Sequence, residues 1–307
     1  MQGRKITIGT RGSPLALAQA HEARARLMTA HALSESDFEI SIIRTSGDRI
    51  QDRPLAEAGG KGLFTKEIEE AMLAGAIDMA VHSMKDMPTV LPEGLVIEAI
   101  LPRADVRDAF VSLNGGTLRD MPAGTRLGSS SLRRAAQVRR LRPDLEVVPF
   151  RGNVQTRLKK LQDGVADATL LACCGLERLG MPERITAPIP VAELLPAVAQ
   201  GAIGIEIREK DQDLRKLLAA VNDDRSAREV AMERTFLATL EGSCRTPIAG
   251  LARLDGGDIS FAGEILTPDG TTCHATTRRG PATDAIAMAE DAAEELKSLG
   301  GPGFFNG

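Results

Sequence analysis

The 307-residue sequence has no Trp and no Tyr, and only eight Phe in their place. A single-strand nucleic-acid binder needs aromatic stacking platforms, so no nucleic-acid partner is expected. No apolar run reaches transmembrane length. The N-terminus MQGRKITIGT has no charged segment followed by an apolar one. The expectation is a cytoplasmic protein without a membrane partner. Cysteine is scarce: Cys173, Cys174, Cys244 and Cys273, two of them adjacent, with no CxxC pair and no His at zinc spacing. That usage fits a reducing compartment and free thiols. None of the four His falls in HExxH, and no metal is expected.

Positive charge is present, but only locally. The formal net charge is −4, yet the stretch Arg126 to Lys160 carries eight Arg and two Lys against one Asp and one Glu. A basic segment inside an acidic chain suits the gripping of a small polyanion in a cleft. The length gives a prior of about two domains, and 43% hydrophobic content is enough for more than one core.

Strand-like and amphipathic helical stretches alternate to about residue 220, the pattern of an α/β protein with mainly parallel strands. Strands are expected near 5–10, 38–44, 79–83, 95–100, 109–112, 126–129, 146–150, 168–172 and 201–207, and helices over 14–30, 64–74, 132–142, 154–163 and 211–220. After a polar break at NDDRSAR (222–228) a long helix runs to about 240. The segments LARLD, ISFAGEIL and TTCHATT, with DGG and PDG turns between them, then read as an antiparallel meander. A last helix at 282–298 completes a small α+β domain.

The polar clusters TRGS (10–13), HSMKD (82–86), SSSLRR (129–134) and RGN (151–153) each follow a strand. Ligands of open parallel sheets bind outside the carboxyl ends of the strands, so these loops are expected to form one shared cleft. In SSSLRR a serine caps a helix from Leu132, leaving N–H groups and the positive dipole end for an anion. Arg133 and Arg134 are unfavourable in a first turn, a cost that a bound carboxylate offsets. Arg139, Arg140 and Arg142 lie near the helix end and read as solvated surface. RGNVQTR repeats the pattern, with Asn153 as cap and Arg157 one turn in. Ser13 and Pro14 read as N-cap and first helical residue, which leaves Arg11 unexplained.

Lys85–Asp86 reads equally as an exposed turn with a weak ion pair and as a cleft carboxylate held ionised among cations, able to stabilise a cationic intermediate and move protons. LAEAGGKGLF (55–64) fails as a phosphate loop, having Leu55 where Gly is required and Gly62 after Lys61; a flexible loop over the cleft is expected instead. Cys244, in a Gly-Ser-Pro loop beside Arg245, is placed for an exposed, reactive thiol. Cys173, Cys174 and Cys273 lie on apolar patterns and read as structural.

TRGSPLALAQ, GGKGLFTKEIE, DMAVHSMKDMPT, GSSSLRR, RGNVQTRL, QGAIGIE and ERTFLATLEGSCRTPIA together resemble the porphobilinogen deaminase (hydroxymethylbilane synthase) family, in family order and over nearly the whole chain. The resemblance implies two lobes like type II periplasmic binding proteins with mainly parallel sheets, plus a small C-terminal α+β domain with a three-stranded antiparallel sheet. The boundaries would be 1–101 with 201–220, 102–200, and 221–307. It implies a dipyrromethane cofactor held by a thioether at Cys244, and a transferase of haem and other tetrapyrrole biosynthesis. Four porphobilinogen molecules would be condensed head to tail with loss of four ammonia, and hydroxymethylbilane then released by hydrolysis. Asp86 resembles the catalytic aspartate. Ser13, Lys85, Ser131, Arg133 and Arg134 resemble the cofactor ligands, and Arg11, Arg151, Arg157 and Arg178 those of substrate. Lys61 belongs to the resembling mobile loop. Glu177 stands where many relatives carry a basic residue, and Cys173–Cys174 replaces small residues. A monomer is expected. The competing class is a non-catalytic cytoplasmic anion-binding module of the same lobes, since fold alone does not fix function; a tethered thiol at Cys244 separates the two.

Overall fold

A computed structural model describes residues 5–49, 63–243 and 246–306. In chain order its elements begin with β1 (Ile6–Arg11), α1 (Pro14–His31), β2 (Phe38–Ile43), α2 (Ser46–Arg49), α3 (Lys66–Leu73), β3 (Met79–Ser83) and β4 (Leu95–Ile100). There follow β5 (Asp108–Ser112), β6 (Arg126–Gly128), α4 (Leu132–Leu141), β7 (Glu146–Val148), α5 (Val154–Gln162), β8 (Ala168–Ala172), α6 (Cys173–Arg178) and β9 (Ala187–Pro188). The chain ends with β10 (Ile203–Arg208), α7 (Gln212–Ala219), α8 (Asp224–Thr239), β11 (Ile248–Asp255), β12 (Asp258–Leu266), β13 (Cys273–Pro281) and α9 (Ala285–Gly300). These fall into two compact units, Met1–Ala104 with Gly201–Ala227, and Asp105–Gln200 with Arg228–Gly307.

The first unit is a five-stranded sheet in the order β2-β1-β3-β10-β4. β1 runs parallel to β2 and β3, whereas β10 runs antiparallel to both its neighbours. Alternate residues of β1, Ile6 and Ile8, are buried with Ala20, Ala23 and Leu27 of α1 and with Leu214 and Leu218 of α7, as a period of two against a period of 3.6 requires. α1 is capped by Ser13, whose hydroxyl accepts from the Ala16 N–H at 3.2 Å, with Pro14 at its start.

The second unit holds a sheet in the order β7-β6-β8-β5-β9, again with one strand, β5, against the other four. In each sheet the reversed strand is the first one made after the chain enters that unit, at Asp105 or at Gly201. Apolar clusters centred on Phe110 and Leu127 and on Phe150 and Leu171 form its core. Gly128 lies under the Phe150 ring, where a Cβ would sit 2.5 Å from a ring carbon, so no larger residue fits without moving Phe150.

The same unit includes the antiparallel sheet β11-β12-β13, packed by α9 and by α8 through a tilted Phe236–Phe261 contact with ring centroids 4.8 Å apart. The polar stretch 222–228 is the start of α8 and not a break: the Asp223 side chain accepts from the Ser226 N–H at 2.8 Å, as an N-cap does. Further along α8, fully buried Glu233 accepts from the N–H groups of Ala199 at 2.6 Å and Ala252 at 2.8 Å. Glu233→Ala strands two buried donors, and a loss of roughly 2–4 kcal/mol is expected; thermal and urea unfolding of the variant would measure it.

Candidate functional site

Because β1 and β3 are adjacent and parallel, their carboxyl ends open at the same edge of the first unit. β1 ends in Arg11, and Ser13 caps the following helix. β3 ends at Ser83 and is followed by a tight turn, Met84–Asp86, closed by the Met87 N–H donating to Met84 C=O at 3.3 Å. The two ends form one pocket, lined by Arg11, Ser13, Leu15, Ala16, Gln19, Phe64, Thr65, Val81, His82, Ser83, Asp86 and Met87. The Arg11 guanidinium lies 4.1 Å from the centroid of the Phe64 ring, a cation–π distance. Arg11, Ser13 and Asp86, chosen from separate motifs, are thus together, with Asp86 half-buried. Lys85 is its neighbour in the turn and is also half-buried.

Two lining residues, Gln19 and His82, and the buried acids near His82 have no counterpart among the residues chosen from sequence. Gln19 is 3% exposed. His82 is buried, with Nε2 2.9 Å from Oε2 of fully buried Glu206 on β10. Glu69 on α3 is buried as well, and its carboxyl is pushed above the usual range by that burial, then by the charge of Glu206. A signal was available, since His and Glu interrupt the apolar strands MAVHS and IGIEIR, but nothing in sequence pairs positions 124 apart.

In the second unit Ser131 caps α4, accepting from the Arg134 N–H at 3.4 Å. Arg133 and Arg134, in its first turn, are 4% and 5% exposed. A carboxylate is indeed beside them, and it is internal: Asp108, fully buried at the start of β5, lies 2.8 Å from Arg133 Nη2 and 2.6 Å from Arg134 Nη2. Gln200 donates to the same carboxylate at 3.0 Å. Burial alone would raise the Asp108 carboxyl, but Arg133 and Arg134 outweigh it and hold it well below the usual carboxylate range. Asn153 caps α5, accepting from the Thr156 N–H at 2.8 Å. Arg151 precedes that helix, Arg157 Nε donates to Gly152 C=O at 2.9 Å, and Arg178 ends α6.

Two arginines expected as solvated surface are structural instead. Arg142 donates to the carbonyls of Leu118, Arg119 and Met121 and pairs with Asp144 at 2.6 Å, and Arg139 donates to Pro268 C=O at 2.8 Å. Arg140 is exposed. Among the thiols, burial pushes Cys173 up to about 12 and Cys273 up to about 11, so neither is a nucleophile at neutral pH, and Cys174 is buried. Cys244, Lys61 and the 55–62 part of the expected loop lie outside the described residues.

Residues 6–216 match the family model described as "Porphobilinogen deaminase, dipyromethane cofactor binding domain", and 227–298 match "Porphobilinogen deaminase, C-terminal domain". The chain belongs to the porphobilinogen deaminase family. It is 60% identical to the porphobilinogen deaminase of Paracoccus denitrificans (strain Pd 1222), over 98% of this chain and 96% of that one. It is 55% identical to the chloroplastic porphobilinogen deaminase of Oryza sativa subsp. japonica, over 98% of this chain and 86% of that one. Solved structures similar to it include the periplasmic VFT2 domain of Bordetella pertussis BvgS, with TM-score 0.41 and 15% identity, covering 71% of this chain and 86% of that one. A periplasmic binding protein of Salmonella typhimurium has TM-score 0.41 and 12% identity, covering 73% and 94%.

The donor set suits the dipyrromethane cofactor of the porphobilinogen deaminase family, whose pyrrole rings carry carboxylates. At the start of α4 two guanidiniums share the one carboxylate of Asp108 at a helix N-terminus, and the half-buried Glu264 also acts by charge on Arg133. Arg133 Nε is buried there with no hydrogen-bond partner among the described residues, as a site awaiting an acceptor should be.

The depressed Asp108 also sets a pH dependence. Its unfolded value is about 3.9 and its folded value lies lower, so its stabilisation is complete above about pH 4 and is lost progressively below it. Asp108→Asn leaves Arg133 and Arg134 buried without the carboxylate that both of them bond, and a loss of about 3–5 kcal/mol at pH 7 is expected, shrinking as the pH falls below about 4. Urea unfolding of both proteins across that range would test it; equal midpoints at pH 7 would refute the role of the pair.

Proposed function

We infer that this transferase of tetrapyrrole biosynthesis condenses four porphobilinogen molecules head to tail, releasing four ammonia and then, by hydrolysis, hydroxymethylbilane. The observation that carries the reading is the convergence of Arg11, Ser13 and Asp86 in one pocket of a chain belonging to this family. When bound, dipyrromethane supplies the pyrrole carbon on which the chain is extended. Cys244 would hold it through a thioether, with Ser13, Lys85, Ser131, Arg133 and Arg134 on its carboxylates. Arg11, Arg151, Arg157 and Arg178 would take the carboxylates of porphobilinogen, and Lys61 would belong to the mobile loop. Guanidiniums suit this work because their fork matches a carboxylate.

The Asp86 carboxylate is the acceptor for the chemistry. As the carbon–nitrogen bond of porphobilinogen breaks and ammonia departs, positive charge develops on the pyrrole, and a fixed carboxylate in a half-buried pocket stabilises it more than water does. The same carboxylate oxygen can then receive the ring proton. The proposal includes three domains, 1–101 with 201–220, 102–200 and 221–307, in a cytoplasmic monomer that binds neither nucleic acid nor membrane. Among the described residues no helix is long and apolar enough to cross a membrane.

Asp86→Ala is expected to keep the fold, read by circular dichroism, while lowering turnover by about a hundredfold to ten-thousandfold; near-normal turnover would refute the assignment. Intact mass of the protein from cells that make porphobilinogen should exceed the polypeptide by a dipyrrole, and Cys244→Ser should remove the excess. Bare polypeptide in the parent would favour the anion-binding module instead.

A further inference from the structure

The pocket that holds Arg11 and Asp86 has a polar floor that carboxylate binding does not use. His82 Nε2 lies 2.9 Å from Glu206 Oε2, and both side chains are nine-tenths buried or more. With Glu206 as the carboxylate, Nε2 carries the hydrogen of that bond. The ring also lines the pocket, which leaves its other nitrogen, Nδ1, outside the bond to Glu206. Behind it Glu206 Oε1 is buried without a hydrogen-bond partner among the described residues, as is Glu69 Oε1.

A pair that merely fastens β3 to β10 would account for the Nε2–Oε2 bond. It would not account for a histidine that also lines the pocket, nor for a second buried glutamate, Glu69, that feels the charge of both members of the pair. Among the described residues, Glu206 from β10 is bonded to His82, Glu69 from α3 acts on the pair by charge, and Arg11 and Asp86 line the same pocket. Of these four Arg11 is the cation, and it stacks on Phe64. The floor is therefore rich in acceptors and negative charge in a pocket otherwise suited to anions.

We propose that His82 and Glu206 form the subsite for the primary ammonium of the substrate, with His82 Nδ1 accepting a hydrogen bond from it and Glu206 fixing the ring and supplying charge behind it. This rests on the reading of the pocket as the porphobilinogen site. Porphobilinogen carries two carboxylates and one aminomethyl group, so one pocket must offer both signs of charge. Arg11 and the floor divide that work. Arg11 serves the carboxylates; the floor selects the one pyrrole that has a leaving ammonia.

The test compares two ligands on the holoenzyme: porphobilinogen, and an analogue with the same acetate and propionate but methyl in place of aminomethyl. Glu206→Gln and His82→Gln are each expected to raise KM for porphobilinogen by about tenfold or more, the size of a lost hydrogen bond to a charged group, while the inhibition constant of the methyl analogue moves less than about twofold. Equal weakening of both ligands means a structural role and overturns the proposal, as does no weakening of either. Arg11→Gln tests the underlying reading separately: it should weaken both ligands, and if it weakens neither, the pocket does not hold the substrate whatever the floor variants do. Should a floor variant fail to fold, the wild-type enzyme still decides, since the subsite requires porphobilinogen to bind at least about tenfold more tightly than the methyl analogue, and equal binding overturns it.

Discussion

Asp108 gathers three stretches of the second unit that are far apart in sequence: the start of β5, the first turn of α4 through Arg133 and Arg134, and Gln200. With no solvent exposure, this carboxylate can stay ionised only if its neighbours replace the lost hydration. Two guanidiniums and an amide do so, and in return they are fixed in place. One carboxylate is hydrogen-bonded by both cations at the first turn of α4, where the helix dipole adds to their positive charge, and Glu264 adds negative charge near Arg133.

The first unit depends on a different consequence of topology. β10 enters between β3 and β4 and runs against both, which sets Glu206 opposite Ala80 and so beside the strand that carries His82 into the turn of Asp86. A strand from after residue 200 thereby supplies a buried charge behind a loop built from residues 82–86. The two ends of the pocket are thus stabilised by different means. The mouth relies on a guanidinium over an aromatic ring, and the floor on a hydrogen-bonded histidine–carboxylate pair.

What could be read from sequence follows from what local physics encodes. β1 was expected over 5–10 and lies at Ile6–Arg11, and α5 was expected over 154–163 and lies at Val154–Gln162, because alternation, caps and amphipathic period are properties of adjacent residues. The polar clusters at the strand ends were legible for the same reason. The direction of β5 and β10 was not, since a period of two is the same in either sense. α6, six residues long, and β9, only two, were missed because so few residues show no period. The Asp223 cap is not legible because it lies inside a run of polar residues. The partner of Arg133 could not be read at all: Asp108 is an ordinary acid in RDAF, and only the packed fold brings it to α4.

The same limit explains why a count of charge over Arg126–Lys160 overstates what is offered to a ligand. Arg142 satisfies three carbonyls of the 118–121 turn, groups that would otherwise compete for water, and Arg139 does the same for Pro268. Those cations hold the lobe together, and no anion is needed to account for them. Arg133 and Arg134 differ from them because their partner is a shared, fully buried acid and because Arg133 Nε is left over. Burial is therefore the property that separates the two sets. A guanidinium held rigid by an internal acid has already lost its side-chain entropy, so the proposed role of Arg133 and Arg134 on the cofactor's carboxylates would cost little further ordering.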